Sequence, residues 1–138
     1  MQGHRELIVW QKAVDLVVAI YKLTKSFPKT EVYGLASQMQ RAAVSVPSNI
    51  AEGHGLKQTQ AYARHLAIAN GSLTELETQL EIARRLGYLT AESELVMNQA
   101  GEVGRMLAGL RRSLQARLQG SGQDKTADGK QPYLNPES

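Results

Sequence analysis

Apolar residues recur along most of the chain at steps of three, four and seven, the spacing of one face of an α-helix. The four helical segments that this pattern predicts are residues 7–25, 31–51, 57–87 and 90–118. Pro28 and Gly87 stand at the junctions between segments, where helices commonly end. Four helices with short connections predict an all-α fold, an up-down-up-down antiparallel four-helix bundle.

Two of the predicted helices carry more apolar surface than one bundle core requires. In the first helix, the polar positions fall within roughly 140° of the helix circumference, and the rest is apolar. In the third helix, Ile68, Ile82 and Leu86 lie on a different face from the core positions around Leu73 and Leu80. The surplus predicts a second interface, with another subunit or with a partner protein.

The second predicted helix is rich in small residues and contains Pro47. Small side chains favour close approach of a neighbouring element, so we expect tight packing here. We expect Arg41 to be buried and to pair with a carboxylate such as Glu31 or Glu52, or else to contact phosphate. Gly53 and the glycine two residues later are expected to supply the positive φ of the following turn.

Asn70-Gly71 is normally a turn signal, and it falls within the third segment. A β-hairpin is the competing interpretation, but the flanking residues lack the alternation of a strand. A continuous helix is favoured, with Gly71 at a close helix crossing.

Composition narrows the class of protein further. The 138 residues include 42% hydrophobic and only 5% aromatic residues, which suits helices packed on helices. Without cysteine, disulfides and thiolate chemistry are excluded. The sequence has no signal-peptide pattern and no membrane-spanning apolar run, so we expect a cytoplasmic protein without a membrane partner. Residues 1–119 are predicted to form the bundle and the polar residues 120–138 a disordered tail.

No set of residues predicts catalysis. His4, His54 and His65 lack the spacing of a metal pair on a helix, so neither a metal nor a cofactor is expected. Ser45 and Ser72 have no adjacent histidine to activate them. The interpretation is therefore a protein that is not an enzyme.

Charge distribution provides the main functional signal. The net charge is only +3, but the stretch from Arg105 to Arg117 contains four arginines and no acid. Such a segment favours a phosphate backbone, more strongly if several subunits bring copies together. A solvated helix end is the competing interpretation. The candidate nucleic-acid-binding residues are Arg41, Arg84, Arg85, Arg105, Arg111, Arg112 and Arg117.

Several motifs carry a family resemblance. They are Phe27-Pro28, Glu31-x-Tyr33-Gly34-Leu35-x-x-Gln38, Arg41 to Gly53, Ala69-x-Gly71-Ser72-Leu73-x-Glu75-Leu76-Glu77 and Leu86-Gly87-Tyr88-Leu89. Over about residues 7 to 115, the chain resembles the four-helix-bundle proteins encoded by intervening sequences in bacterial 23S rRNA genes. It departs from them at Gln40 and Leu56-Lys57, where family members often have a further basic residue.

The resemblance implies a left-handed antiparallel bundle that assembles as a ring, typically a homopentamer. It also implies kinship with the accessory variability protein of diversity-generating retroelements, a basic ring that binds nucleic acid and a reverse transcriptase. Two functions follow as hypotheses: a homo-oligomer that binds RNA or DNA through basic helix surfaces, or a scaffold that binds a protein partner such as a reverse transcriptase without touching nucleic acid.

Overall fold

A computed structural model of the chain describes residues 3, 4 and 7–125, with side chains through Gly120. The helices are α1 (Ile8–Thr24), α2 (Leu35–Gly55), α3 (Thr59–Arg85) and α4 (Ser93–Lys125), and a 3-10 turn (Lys29–Glu31) precedes α2. No strand occurs among the described residues. The all-α prediction is confirmed, and the helices pack as a four-helix bundle. The left-handed twist stays a prediction.

One face of each helix builds a single core of aliphatic side chains and alanines. The buried residues of α3 and α4 include Ala69, Leu73, Leu76, Leu80, Ala83, Val96, Ala100, Val103, Leu107 and Leu114. The spacing of apolar residues predicts all of these positions. Ile68, Ile82 and Leu86 are 52%, 43% and 54% exposed, so the surplus apolar face of α3 is also confirmed.

The most extensive helix contact lies between α2 and α3. Ser45 Oγ and Ser72 Oγ are 2.7 Å apart, and further along α2 Gly53 lies against Tyr62 and His65. The paired positions therefore run in opposite directions along the two helices. A Cβ atom on Gly53 would stand 2.6 Å from the Cβ of His65, too close for any side chain. The small residues of α2 thus permit the close approach that the sequence predicts.

Gly71 does not lie at a close helix crossing, as the sequence suggested. It is exposed, and a Cβ atom built there meets nothing within 4 Å. The helix is nevertheless continuous through Asn70-Gly71, because α3 buries apolar residues on both sides of this position.

The start of α2 differs from the prediction because Glu31 caps the helix instead of joining it. Its Oε1 accepts a hydrogen bond of 2.9 Å from the backbone N–H of Leu35, and its Oε2 accepts one of 2.9 Å from the Tyr88 hydroxyl. These bonds hold the pKa of Glu31 below its usual value and raise the pKa of Tyr88. They also join the α1–α2 connection to the α3–α4 connection.

The turn between α2 and α3 also departs from the prediction. α2 continues through Gly55, and the residue with positive φ is Lys57, at +54°. The prediction that Gly53 and Gly55 supply this conformation is therefore wrong, because both glycines belong to the helix. At the end of α3, Gly87 has φ +80°, in the left-handed region that its place in the sequence predicts.

α4 is longer than predicted and extends through Lys125, past the expected start of the tail at residue 120. Adding residues to an existing helix is far easier than nucleating one, which accounts for the extension. Residues 126–138 of the predicted tail lie outside the described residues. No helix in the described part of the chain is both long and apolar enough to span a bilayer.

Candidate nucleic-acid interface

The four arginines between positions 105 and 117 of α4 lie on different sides of the helix instead of forming one stripe. Arg105, Arg112 and Arg117 are exposed, and Arg111 is half-buried. At about 100° per residue, Arg105 and Arg112 lie within roughly 20° of each other, while Arg111 and Arg117 each lie roughly 100° or more from both. The segment therefore presents positive charge on three sides.

The part of α4 before position 105 carries the opposite charge. Glu94 lies in its first turn, and the carboxylate of Glu102 lies 3.6 Å from the ammonium group of Lys12 on α1. Acidic residues near a helix start and basic residues near its end both complement the helix dipole. The dipole explains the order of the charges, but it leaves the outward arginines available for a ligand.

Arg84 and Arg85 already bind a carboxylate. Arg84 donates to Glu81 at 3.0 and 2.6 Å, and Arg85 donates to the same side chain at 2.8 Å. These hydrogen bonds lower the pKa of Glu81 to about 2. The two arginines end α3, whereas Arg117 lies 24 residues beyond the start of α4 at Ser93, roughly 36 Å along the helix. One chain therefore does not bring them together with Arg117.

Arg41 lies on the outer face of α2, exposed to solvent, and its Nη1 donates to Ser37 Oγ at 2.7 Å. The prediction that Arg41 is buried is wrong. The two small residues that follow it, Ala42 and Ala43, face the core, and position 41 points away from them. Its side chain lines a cavity of about 270 Å³ with Gln38, Ala42, Ser45, Ser72 and Glu75.

A second cavity, also of about 270 Å³, lies at the end of the bundle where α2 turns into α3. Its lining residues are His54, Lys57, Gln58, Thr59, Tyr62 and Arg117. We call this the turn cavity. Lys57 and Arg117 bring two positive charges to it, and none of its described lining residues carries a carboxylate.

Tyr62 forms part of the wall of the turn cavity. The His54 ring meets the Tyr62 ring edge-on at a centroid distance of 5.6 Å. The Tyr62 hydroxyl is buried and makes no hydrogen bond with any described residue. Burial raises the pKa of Tyr62, and the charge of Arg117 opposes that rise.

The sequence did not reveal the turn cavity because its residues are far apart in the chain. Lys57 and Arg117 are separated by 60 positions and meet only when α4 packs beside the start of α3. One signal was present: in a bundle of alternating directions, the second half of α4 lies beside the α2–α3 turn. A lysine in that turn is therefore expected to lie near an arginine of α4.

A row of polar side chains connects α2 to α3. Ser45 Oγ contacts Ser72 Oγ, Asn49 Nδ2 donates to Ser45 Oγ at 3.1 Å, and His65 Nδ1 lies 3.0 Å from Asn49 Oδ1. The imidazole thus contacts an amide instead of a serine hydroxyl. A nucleophilic serine needs a base within hydrogen-bond reach, so the row links two helices without assembling a catalytic pair.

The described part of the chain holds no group of three or more His, Cys, Asp or Glu side chains that could ligate a metal. The Gln40 side chain donates a hydrogen bond of 3.0 Å to the hydroxyl of Thr24, which is buried in α1. Gln40 therefore connects α1 and α2.

Comparison with known proteins agrees with the fold. Residues 5–109 match the family model described as 23S rRNA-intervening sequence protein. A crystal structure from Bacteroides thetaiotaomicron, of a protein with unknown function from the S23 ribosomal protein family, superimposes with a TM-score of 0.68 at 25% identity. The match covers 75% of this chain and 98% of that one. No curated protein matches the chain.

Proposed function

Because the chain belongs to the family of 23S rRNA-intervening sequence proteins, we propose that it is a non-enzymatic, homo-oligomeric bundle that binds RNA or DNA. The observation that carries this proposal is the separation of charge along α4. The acidic residues Glu94 and Glu102 precede position 105, and the stretch from 105 to 117 presents Arg105, Arg111, Arg112 and Arg117 on several sides. Contacts of arginine with phosphate give affinity without sequence preference, which is the expected mode here.

The non-enzymatic part of the proposal is supported by the setting of the perturbed carboxylates. The pKa of Glu81 is lowered by neighbouring arginines on an exposed helix end, and that of Glu31 by hydrogen bonds at a helix start. Both carboxylates stabilise helix ends, and neither lines one of the cavities described above. Catalytic carboxylates instead have pKa values raised within a cleft.

Oligomerisation is supported by the outer face of α1. Ile8, Val18 and Tyr21 are 59%, 48% and 44% exposed, and Leu95 of α4, on the same groove as Val18, is 65% exposed. Val18 and Leu95 line a largely apolar groove of about 400 Å³ between the two helices. An exposed apolar patch of this kind is typical of a protein interface. A second copy of the chain is the proposed occupant, within a cytoplasmic ring of five.

Light scattering at micromolar concentration tests the assembly. We expect a mass near five times the 15.1 kDa of one chain. Val18→Asp should dissociate the assembly, whereas Val32→Asp should not, because Val32 is equally exposed, at 52%, but lies outside α1. A monomer of the unchanged protein at this concentration would contradict the proposal.

The salt dependence of RNA binding tests the nucleic-acid part. Each phosphate contact contributes roughly 0.7 to the slope of log affinity against log salt for a single strand. The double variant Arg111→Gln, Arg112→Gln should therefore lower the slope by about 1.4. Arg84→Gln, Arg85→Gln removes the same charge from arginines bound to Glu81 and should leave the slope nearly unchanged. Absence of binding at low salt would refute the proposal.

The second candidate is a scaffold for a protein partner, favoured by the exposed apolar face of α3. Ile68 and Ile82 are removed from the α1 groove proposed for self-assembly, so both contacts can exist together. Pull-down before and after nuclease treatment separates the candidates, since capture by a scaffold survives loss of the nucleic acid. Ile68→Asp should abolish that capture without lowering affinity for RNA.

A further inference from the structure

Three separate parts of the chain direct polar side chains into the turn cavity. His54 comes from the last turn of α2, Lys57 from the connection, and Arg117 from α4. The cavity holds about 270 Å³, and a water molecule occupies roughly 30 Å³ in the liquid, so a phosphate group fits with several waters. The arrangement of these three side chains around one open pocket distinguishes this site from the arginines spread around α4.

The charge of the cavity suits one kind of phosphate better than another. A phosphate monoester carries a charge of about −1.5 to −2 at neutral pH and has three acceptor oxygens. A diester within a nucleic-acid backbone carries a single negative charge. Lys57 and Arg117 supply two positive charges, no carboxylate occurs among the described residues of the lining, and the His54 ring offers a further N–H donor.

The backbone of Lys57 provides an independent argument. Its φ angle is +54°, in the left-handed region that residues other than glycine and asparagine seldom adopt. Residues held in sparsely populated conformations cluster at ligand-binding sites. The left-handed backbone of Lys57 therefore supports a binding role for the turn, in addition to the interaction that this residue makes within the chain.

We propose that the turn cavity binds a terminal phosphate monoester, held by Lys57, Arg117 and His54. The ligand is either the 5′-phosphate end of a nucleic acid or a free mononucleotide, which share this group. The first source deepens the proposed function and rests on it, whereas the second does not. Binding would then have two components: contacts with internal phosphates along α4, and capture of a strand end at the turn.

Fluorescence anisotropy of a short single-stranded RNA labelled at its 3′ end, with either a 5′-phosphate or a 5′-hydroxyl, tests the proposal. Adenosine monophosphate is the second probe, as a competitor and as a ligand in thermal melting. We expect the 5′-phosphate to increase affinity at least about tenfold, the factor that one charge-assisted hydrogen bond supplies. Lys57→Gly and Arg117→Gln should each remove most of that preference.

Lys57→Gly is informative because it removes the charge while easing the backbone strain, so the variant is expected to fold. Lys57→Arg keeps the charge and should retain the preference for the phosphorylated end. Lys25→Gly is the matched control: it makes the same replacement at an exposed lysine after α1 and should lower affinity for both RNAs alike.

The outcomes separate this inference from the proposed function. Equal affinity for both RNAs, with no displacement by adenosine monophosphate, overturns the cavity proposal and leaves binding along α4 intact. Binding of adenosine monophosphate without binding of either RNA refutes the proposed function and supports a mononucleotide site. A preference that survives in both Lys57→Gly and Arg117→Gln also overturns the cavity proposal, since the end is then held elsewhere.

Discussion

Replacing Gly53 by alanine tests how closely α2 and α3 approach each other. A Cβ atom at this position would stand 2.6 Å from the Cβ of His65 and 3.0 Å from Cδ1 of Tyr62. The first contact involves an atom fixed to the backbone, so a rotamer change cannot relieve it. The helices must separate, and the polar row between Asn49 and His65 must lengthen with them.

The expected magnitude combines two opposing effects. Alanine is favoured over glycine within a helix by up to about 1 kcal/mol. Overpacking a tight contact costs about 1–3 kcal/mol and sometimes more. Because the displacement needed at Gly53 is large for a Cβ–Cβ pair, we expect overpacking to prevail and Gly53→Ala to destabilise the fold by about 1–2 kcal/mol.

Gly71→Ala is the matched control. The same replacement in the middle of α3 meets nothing within 4 Å, so only the helix preference acts and stability should rise by up to about 1 kcal/mol. Urea unfolding at one fixed protein concentration measures both variants, because assembly makes stability concentration-dependent. Equal effects at the two positions would refute the close approach. Destabilisation by Gly71→Ala would show that a neighbouring chain covers Gly71.

Two further predictions concern the core and a helix end. Leu107→Ala should destabilise the fold by about 2–5 kcal/mol, because Leu107 is fully buried, and denaturant unfolding measures this loss. Glu81→Gln should remove a stabilising contribution that depends on pH: the folded pKa of about 2 lies below the ordinary value of 4.5, so the contribution is present above pH 4.5 and falls toward pH 2. The difference in melting temperature between Glu81→Gln and the unchanged protein should therefore narrow over this interval, and a constant difference would contradict the pairing of Glu81 with the arginines.

The sequence was sufficient to predict the helices and their buried faces. Periodic spacing determines which side of a helix is apolar, and burial follows from that, as at Val103 and Leu107 in α4. The exposed apolar face of α3 was predicted for the same reason. The continuity of α3 through Gly71 also followed, because neither flank has the alternation of a strand.

The predictions that were wrong concern residues whose role depends on whether they face a neighbouring helix or solvent. Gly71 and Gly53 are both helical glycines, and only packing tells that Gly53 faces His65 while Gly71 faces solvent. Arg41 was expected to be buried because small residues surround it in the sequence, yet it lies on the opposite side of the helix from them. The turn cavity was missed because Lys57 and Arg117 are adjacent only in the folded chain.

The two glycines nearest the α2–α3 turn explain why the conformational strain falls on a lysine. Gly53 is needed within α2 because His65 leaves no room for a side chain, and Gly55 ends that helix. The chain reverses two residues later, at Lys57, where the left-handed backbone costs a residue with a Cβ roughly 1–2 kcal/mol. If the turn alone were at stake, Lys57→Gly should raise the melting temperature and change no affinity. A loss of affinity for the 5′-phosphate in that stabilised variant would show that the strain is retained for binding.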